Sequence, residues 1–307
     1  MENKFPGGVW PVMLTPFTCE REVDYLALKT LVDWYIENGV DGLFAVCQSS
    51  EMFYLTLEER VSIARCVLEA AAGRVPVIAS GHVSDSLEEQ IIEIRAMAET
   101  GVDAVILITN RLAKENESDK VWKENCKKIL DNVDENIPLG FYECPYPYKR
   151  LLSVDTIKWC ANTGRFHFLK DTCCDIEQIK DKIEAIRGTN LKLYNANTTT
   201  LLESLRYGAA GFSGVMANFH PQLYAWLCEH VDDEKADELA SFLSIASLIE
   251  RQYYPVNAKY HLKEIENLPM EITCRVKESD GLSKTFEKEV AMLDELAKVQ
   301  QEICLGK

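Results

Sequence analysis

The sequence predicts an α/β fold, a (β/α)8 TIM barrel followed by a C-terminal helical extension. Three observations predict it. Eight short apolar runs of strand type recur along the chain, at 9–15, 42–46, 75–80, 104–108, 139–142, 166–170, 191–195 and 210–215. Segments with apolar residues at i, i+3, i+4 and i+7 alternate with them, giving a unit of roughly 20 to 35 residues. From about residue 231 the strand runs stop and only helical patterns remain. These bounds assign 1–230 to the barrel domain and 231–307 to the helical extension.

The first run leads into Thr15-Pro16-Phe17-Thr18, which lacks the glycine-rich first turn of a doubly wound dinucleotide fold. A helix pattern follows at 25–38, and the second run ends in Cys47-Gln48-Ser49-Ser50-Glu51. Thr56 with Glu59 three residues later is a capping box and opens a helix over 57–72. The third run ends in Ser80-Gly81-His82 before a helix at 87–100, and the fourth in Thr109-Asn110-Arg111 before one at 120–134. Tyr142-Glu143 closes the fifth run, and Ser153 with Asp155 starts the next helix. Lys170-Asp171 closes the sixth, ahead of a helix at 175–187; Asn195-Ala196-Asn197 closes the seventh, and Ser213 lies in the eighth. The extension carries helix patterns at 234–251, 258–266 and 283–303.

In such a barrel the residues at the carboxyl ends of the strands converge on one mouth. Lys170 is the informative one, because it stands where an apolar strand calls for another core residue. Burying it as an ammonium costs several kcal/mol, so the fold lets it reach water or lowers its pKa until it is neutral. A neutral lysine is a nucleophile that forms an imine with a carbonyl compound. Tyr142, at the end of the neighbouring strand, is placed to move protons during imine formation if its pKa is lowered. The hydroxyl-rich turn holding Gln48, Ser49 and Ser50 offers consecutive N–H groups to a carboxylate. Asn197 and Ser213 complete the expected binding set, and Asn195 is a further neutral donor and acceptor at the same mouth. Arg111 or Lys114 would meet a second carboxylate if their loop turns inward.

Composition excludes several classes. The net charge of −16, from 49 acidic and 33 basic residues, argues against nucleic acid and anionic membranes as partners. No apolar run approaches the roughly 18 residues of a membrane span. Residues 1–6 are short and polar without a signal segment, and the expected location is cytoplasmic. The eleven cysteines form no CxxC pair and read as reduced, with the vicinal Cys173-Cys174 an oxidation-sensitive neighbour of Lys170. The five histidines show no HxxxH or HxH spacing, so no metal is expected. GxSxG, Walker and GxGxxG motifs are absent from the sequence.

The chain resembles the dihydrodipicolinate synthase and N-acetylneuraminate lyase family of Schiff-base-forming barrels. The resemblance runs from Gly8-Val9-Trp10-Pro11 with Thr15-Pro16-Phe17 through to the C-terminal helices. It is carried by Tyr142-Glu143-Cys144-Pro145, Phe168-Leu169-Lys170-Asp171, and Gly208-Ala209-Ala210-Gly211 through Ala217-Asn218. It implies that Lys170 forms the imine with pyruvate or a longer 2-oxo acid, that Tyr142 shuttles protons, and that Ser49 with its neighbouring amides holds the carboxylate. It implies a loop-orienting role for Glu51, no cofactor, and a homo-oligomer, tetramer or dimer.

The chain departs from the family at specific places. Cys47-Gln48-Ser49-Ser50-Glu51 lacks both glycines of the family's loop, and Gln48 replaces a hydroxyl. No tyrosine occurs in Asn110-Arg111-Leu112-Ala113-Lys114, where the synthases carry one, and Pro147 replaces their arginine. Asn197-Thr198-Thr199 stands where sialic acid lyases have acidic residues. The expected activity is therefore a lyase or aldolase on a 2-oxo acid other than these two substrates. A dehydratase or condensing synthase of the same family, and a barrel that binds a 2-oxo acid without turnover, are the alternatives.

Overall fold

The computed structural model describes residues 5–306, so most of the 1–6 segment read for a targeting signal lies outside the described residues. Eight strands alternate with helices in the order β1 (Gly8–Val9), α1 (Tyr25–Glu37), β2 (Leu43–Phe44), α2 (Leu57–Ala71), β3 (Val77–Ala79), α3 (Leu87–Ala98), β4 (Ala104–Ile108) and α4 (Asp119–Asn132). The second half runs β5 (Leu139–Tyr142), α5 (Val154–Ala161), β6 (Phe166–Asp171), α6 (Ile176–Ile186), β7 (Lys192–Asn195), α7 (Leu201–Tyr207), β8 (Gly211–Phe212) and α8 (Pro221–Glu229). Beyond them lie α9 (Ala236–Ala246), α10 (Val256–Tyr260) with a π-turn over His261–Ile265, and α11 (Lys284–Leu305).

All neighbouring strands pair in parallel, in the order β1-β8-β7-β6-β5-β4-β3-β2. Among the described residues the seam between β1 and β2 carries no ladder. A single parallel bridge joins Val12 to Phe44, where Phe44 N donates to Pro11 O and Met13 N donates to Phe44 O. Pro11 has no N–H to contribute, which is one reason the first run, expected over 9–15, pairs over so short a length.

The local signals act as expected. Thr56 accepts from Glu59 N while Glu59 returns a carboxylate to Thr56 N, and Ser153 accepts from Thr156 N. Asp24, Ser86, Asp175 and Ser283 cap four other helices through their side chains. Among the described residues no helix is long and apolar enough to cross a membrane.

Aromatic side chains fill the barrel interior below the mouth. Phe168 stacks on Tyr194 at 4.1 Å between ring centroids, Trp10 meets Phe168 edge-on at 5.1 Å, and Phe44 approaches Phe168 at 6.3 Å. Two glycines make room for them. A Cβ on Gly42 would lie 2.4 Å from the Trp10 ring, and one on Gly140 would lie 2.9 Å from Phe168 Cβ. The apolar core continues without a break into the extension, where Leu239, Leu243, Leu262, Val290 and Leu293 join the barrel helices.

Candidate active site

Lys170 and Tyr142 are directly opposed on adjacent strands, since β5 and β6 pair with Tyr142 against Lys170. Residues i and i+2 of a strand share a face, so Lys170 stands above Phe168 and the aromatic floor. Both side chains are almost wholly buried. The Lys170 Nζ lies over the Tyr142 ring, 4.2 Å from its centroid, and Phe44 packs edge-on against that ring at 5.9 Å. Burial pushes the Lys170 amine down from 10.5 to about 8, with Cys47, Cys144 and Glu250 only partly opposing the shift. About one molecule in ten then carries a neutral amine at pH 7. Burial also pushes the Tyr142 phenol well above its ordinary value, so the resting site holds a neutral phenol rather than a lowered-pKa base. From the sequence Tyr142 is a two-way shuttle on condition of a lowered pKa, and burial shifts it the other way.

The loop after β2 is drawn inward. The Gln48 Oε1 faces both the Tyr142 hydroxyl at 3.4 Å and the Cys144 thiol at 3.3 Å. Gln48, Ser49, Tyr142, Lys170 and Asn197 all line one cavity of about 510 Å3. Ser50 is placed otherwise: its Oγ accepts from Cys47 N at 2.6 Å and donates to Cys47 O at 2.7 Å, which closes the turn. Ser213 is fully buried, its Oγ has no partner among the described residues, and it is not among the cavity-lining residues. The Asn197 Oδ1 accepts from Thr200 N at 3.1 Å, and Asn195 is occupied by Thr200, Ser204 and the Asn197 backbone.

Glu51 adopts a left-handed conformation with φ 62, which costs about 1–3 kcal/mol for a residue with a Cβ. Its carboxylate accounts for that conformation. Oε2 accepts from Arg275 N at 2.6 Å and Val276 N at 2.8 Å, and Oε1 pairs with the buried Lys259 at 3.0 Å. Glu51 thus ties the β2 loop to the extension, consistent with an orienting role.

Two expectations are corrected. Arg111 is not among the cavity-lining residues; it pairs with Asp85 at 2.7 Å and lies over the Phe53 ring at 5.4 Å, and Lys114 is likewise outside the cavity lining. His82 does not face the mouth. It is fully buried, accepts from Ile108 N through Nε2 at 2.6 Å, and so carries its proton on Nδ1 toward Gln90 Oε1.

The cations that do line the cavity are Lys149, Arg251 and Lys277, together with Lys170. Lys149 is steadied by Thr172 O at 2.6 Å, and Lys277 by Tyr254 O at 2.8 Å. Against them stand Glu51, already paired with Lys259, and Glu250, whose pKa is raised because burial outweighs the nearby Arg251 and Lys170. In a chain of net charge −16 this is a locally basic mouth. The sequence reading missed Glu250, Arg251, Tyr254 and Lys277 because they come from the helical extension, whose return to the barrel mouth no strand-end rule predicts. Lys149, in the loop after β5, was within reach of that rule.

Behind the site lies a buried charge cluster. Lys182 on α6 reaches Glu143 at 2.7 Å and Asp171 at 2.5 Å, the residues that immediately follow Tyr142 and Lys170. Glu143 also accepts from Leu152 N at 2.8 Å. Burial raises Glu143 to about 7 despite Lys182, while the two carboxylates push the Lys182 ammonium upward against its own burial.

Comparison with known proteins adds the following. The profile of the dihydrodipicolinate synthetase family matches residues 5–278. The 4-hydroxy-tetrahydrodipicolinate synthase of Saccharophagus degradans is 26% identical over 266 residues, which cover 85% of this chain and 89% of that protein. Among solved structures, the chloride-inhibited dihydrodipicolinate synthase of Acinetobacter baumannii complexed with pyruvate superposes with a TM-score of 0.84 at 24% identity, covering 94% of this chain and 98% of that one. YagE of E. coli K12, a member of the dihydrodipicolinic acid synthase family in complex with pyruvate, superposes with a TM-score of 0.83 at 22% identity over 97% of this chain and 99% of the other.

Proposed function

Because the chain belongs to the dihydrodipicolinate synthetase family, we propose that it is a Schiff-base-forming lyase or aldolase acting on a 2-oxo acid. The observation that carries this reading is the Lys170 amine, buried, lowered to about 8 and held over the Tyr142 ring in a cavity of about 510 Å3. The neutral amine attacks the keto carbon, and loss of water from the carbinolamine leaves an iminium on Lys170. The Tyr142 hydroxyl supplies the proton for the departing water. The iminium then draws electrons from the bond being broken, leaving an enamine of pyruvate type, so no external cofactor is needed for the electron sink. The Ser49 region receives the 2-oxo acid's carboxylate, and the basic groups Lys149, Arg251 and Lys277 receive an anionic group at its far end.

The substrate is proposed to differ from those of dihydrodipicolinate synthases and sialic acid lyases. Gln48 occupies the place of a hydroxyl relay, and Asn110-Arg111-Leu112-Ala113-Lys114 supplies no tyrosine. A dehydratase or condensing synthase would use the same Lys170 and Tyr142, and a binding barrel without turnover would have no need of the lowered amine. The protein is proposed to be cytoplasmic and a homo-oligomer.

The test is reduction with borohydride in the presence of pyruvate. A mass increase located on Lys170, and missing from Lys170→Ala, is the expected result. An adduct that persists in Lys170→Ala, or none with pyruvate or with a panel of 2-keto-3-deoxy acids, would overturn the proposal.

A further inference from the structure

A second constellation lies away from the mouth. His220 stands at the start of α8, His261 opens the π-turn after α10, and Asp294 is on α11. All three are buried, with relative exposures of 1%, 0% and 4%. One ligand-type atom from each lies within 4.8 Å of the other two. The spacing in sequence conceals this, since 41 and 33 residues separate the members and the fold alone brings them together.

The hydrogen bonding sets this cluster apart from ordinary core packing. His261 Nε2 lies 2.9 Å from Phe219 O and 3.6 Å from a Glu266 carboxylate oxygen. A carbonyl only accepts, so Nε2 carries the proton and the Nδ1 lone pair is left bare. That Nδ1 has no partner among the described residues, nor has either ring nitrogen of His220. Two imidazoles buried with lone pairs unmatched are a cost that a folded core ordinarily avoids. A metal-ligating histidine, by contrast, commonly gives its other N–H to a carbonyl or carboxylate, as His261 does here. The third member supplies charge: Asp294 is a buried carboxylate whose only ion pair among the described residues is with the exposed ammonium of Lys298 at 2.7 Å.

We infer that His220, His261 and Asp294 form a site for a first-row divalent cation, zinc foremost, which clamps the eighth βα turn to the C-terminal helix. Two imidazoles and one carboxylate suit zinc in tetrahedral geometry, with the fourth position left to water. Donor atoms in that geometry stand about 3.4 Å apart, so the observed separations, all within 4.8 Å, have at most about 1.4 Å to close on binding. Asp294 keeps one oxygen for Lys298 while the other faces the cation, which leaves the ion pair intact. The clamp would act on the mouth indirectly. The turn it fixes contains Val215, which lines the cavity, and Asn218, which donates to the Tyr254 hydroxyl at 3.1 Å.

The full-length protein, stripped with chelator, is titrated with Co2+ and followed by visible absorption, then challenged with Zn2+. The expected result is one Co2+ per chain, with the absorption of a tetrahedral nitrogen and oxygen site, without a thiolate charge-transfer band, and displaced by Zn2+. Thermal unfolding should move upward with Zn2+. Asp294→Asn, on the buried face of α11, and His220→Asn should each weaken Co2+ binding at least ~tenfold. Native protein without a saturable Co2+ spectrum would overturn the site. So would a spectrum with thiolate character that Asp294→Asn leaves unchanged, since it would place the ion on the cysteines.

Discussion

Tyr142 and Lys170 are register partners on neighbouring parallel strands, and the amine of one rests on the ring face of the other at 4.2 Å. The ring therefore gives Lys170 a face without a counter-ion, and the hydroxyl beyond it is directed to Gln48. Tyr142→Phe keeps the face and removes the hydroxyl. Lys170 should still be trapped by pyruvate and borohydride, but more slowly, while turnover falls by about 10²–10⁴ as expected for a lost acid–base group. Single-turnover trapping beside steady-state rates separates the two effects.

Imine formation should rise with pH. With the amine at about 8, its neutral fraction is about 0.09 at pH 7 and about 0.9 at pH 9, a gain of roughly tenfold, and it levels off above. An unshifted lysine would continue to gain nearly tenfold per pH unit across the same range. Stopped-flow measurement of adduct formation between pH 6.5 and 9.5 reads the difference.

The same group limits stability. The folded chain releases the Lys170 proton near pH 8 and the unfolded chain near 10.5, so the unfolded state binds more protons between those values and stability rises with pH there. Below pH 8 the whole cost remains, roughly 3 kcal/mol. Lys170→Met should therefore raise stability by about that amount at pH 7, and the advantage should shrink as the pH passes from 8 to 10.5. Urea unfolding of both proteins at pH 7 and pH 10 checks it.

Lys182→Met should act in the opposite direction. Glu143 and Asp171 would be left facing one another without the ammonium that holds them, and breaking a buried pair in this way costs about 3–5 kcal/mol. Glu143 already lies raised to about 7 with Lys182 present. The variant's loss should thus be smaller at pH 5, where Glu143 is protonated, than at pH 8. Midpoints of urea unfolding at the two pH values measure this.

The barrel was legible because each of its parts is a local signal. Apolar runs such as 104–108 and 139–142 became strands with the expected bounds, and Thr56 with Glu59 formed its capping box. Lys170 stood out because a charge in an apolar strand has few physical explanations, and Tyr142 followed from its being the adjacent strand end. What a sequence leaves open is where long-range partners meet. Ser50 and Ser49 are adjacent in one turn, yet one hydroxyl closes the turn and the other faces the cavity. Arg111 was a candidate until Asp85 claimed it. Glu250 and Lys277 carried no local mark, since their position depends on how the extension returns over the barrel.

That return also sets an order in time. Lys170 leaves the ribosome more than a hundred residues before Lys277, an interval of roughly 5–20 s at ordinary rates of synthesis. Until Arg275 and Val276 are available to Glu51, the extension holds its carboxylate through the Lys259 ion pair. The wall that Lys277 gives the cavity is thereby among the later parts of the chain to be made. A chain shortened before residue 275 lacks both backbone donors that the Glu51 carboxylate accepts, and with them the Lys277 side of the cavity.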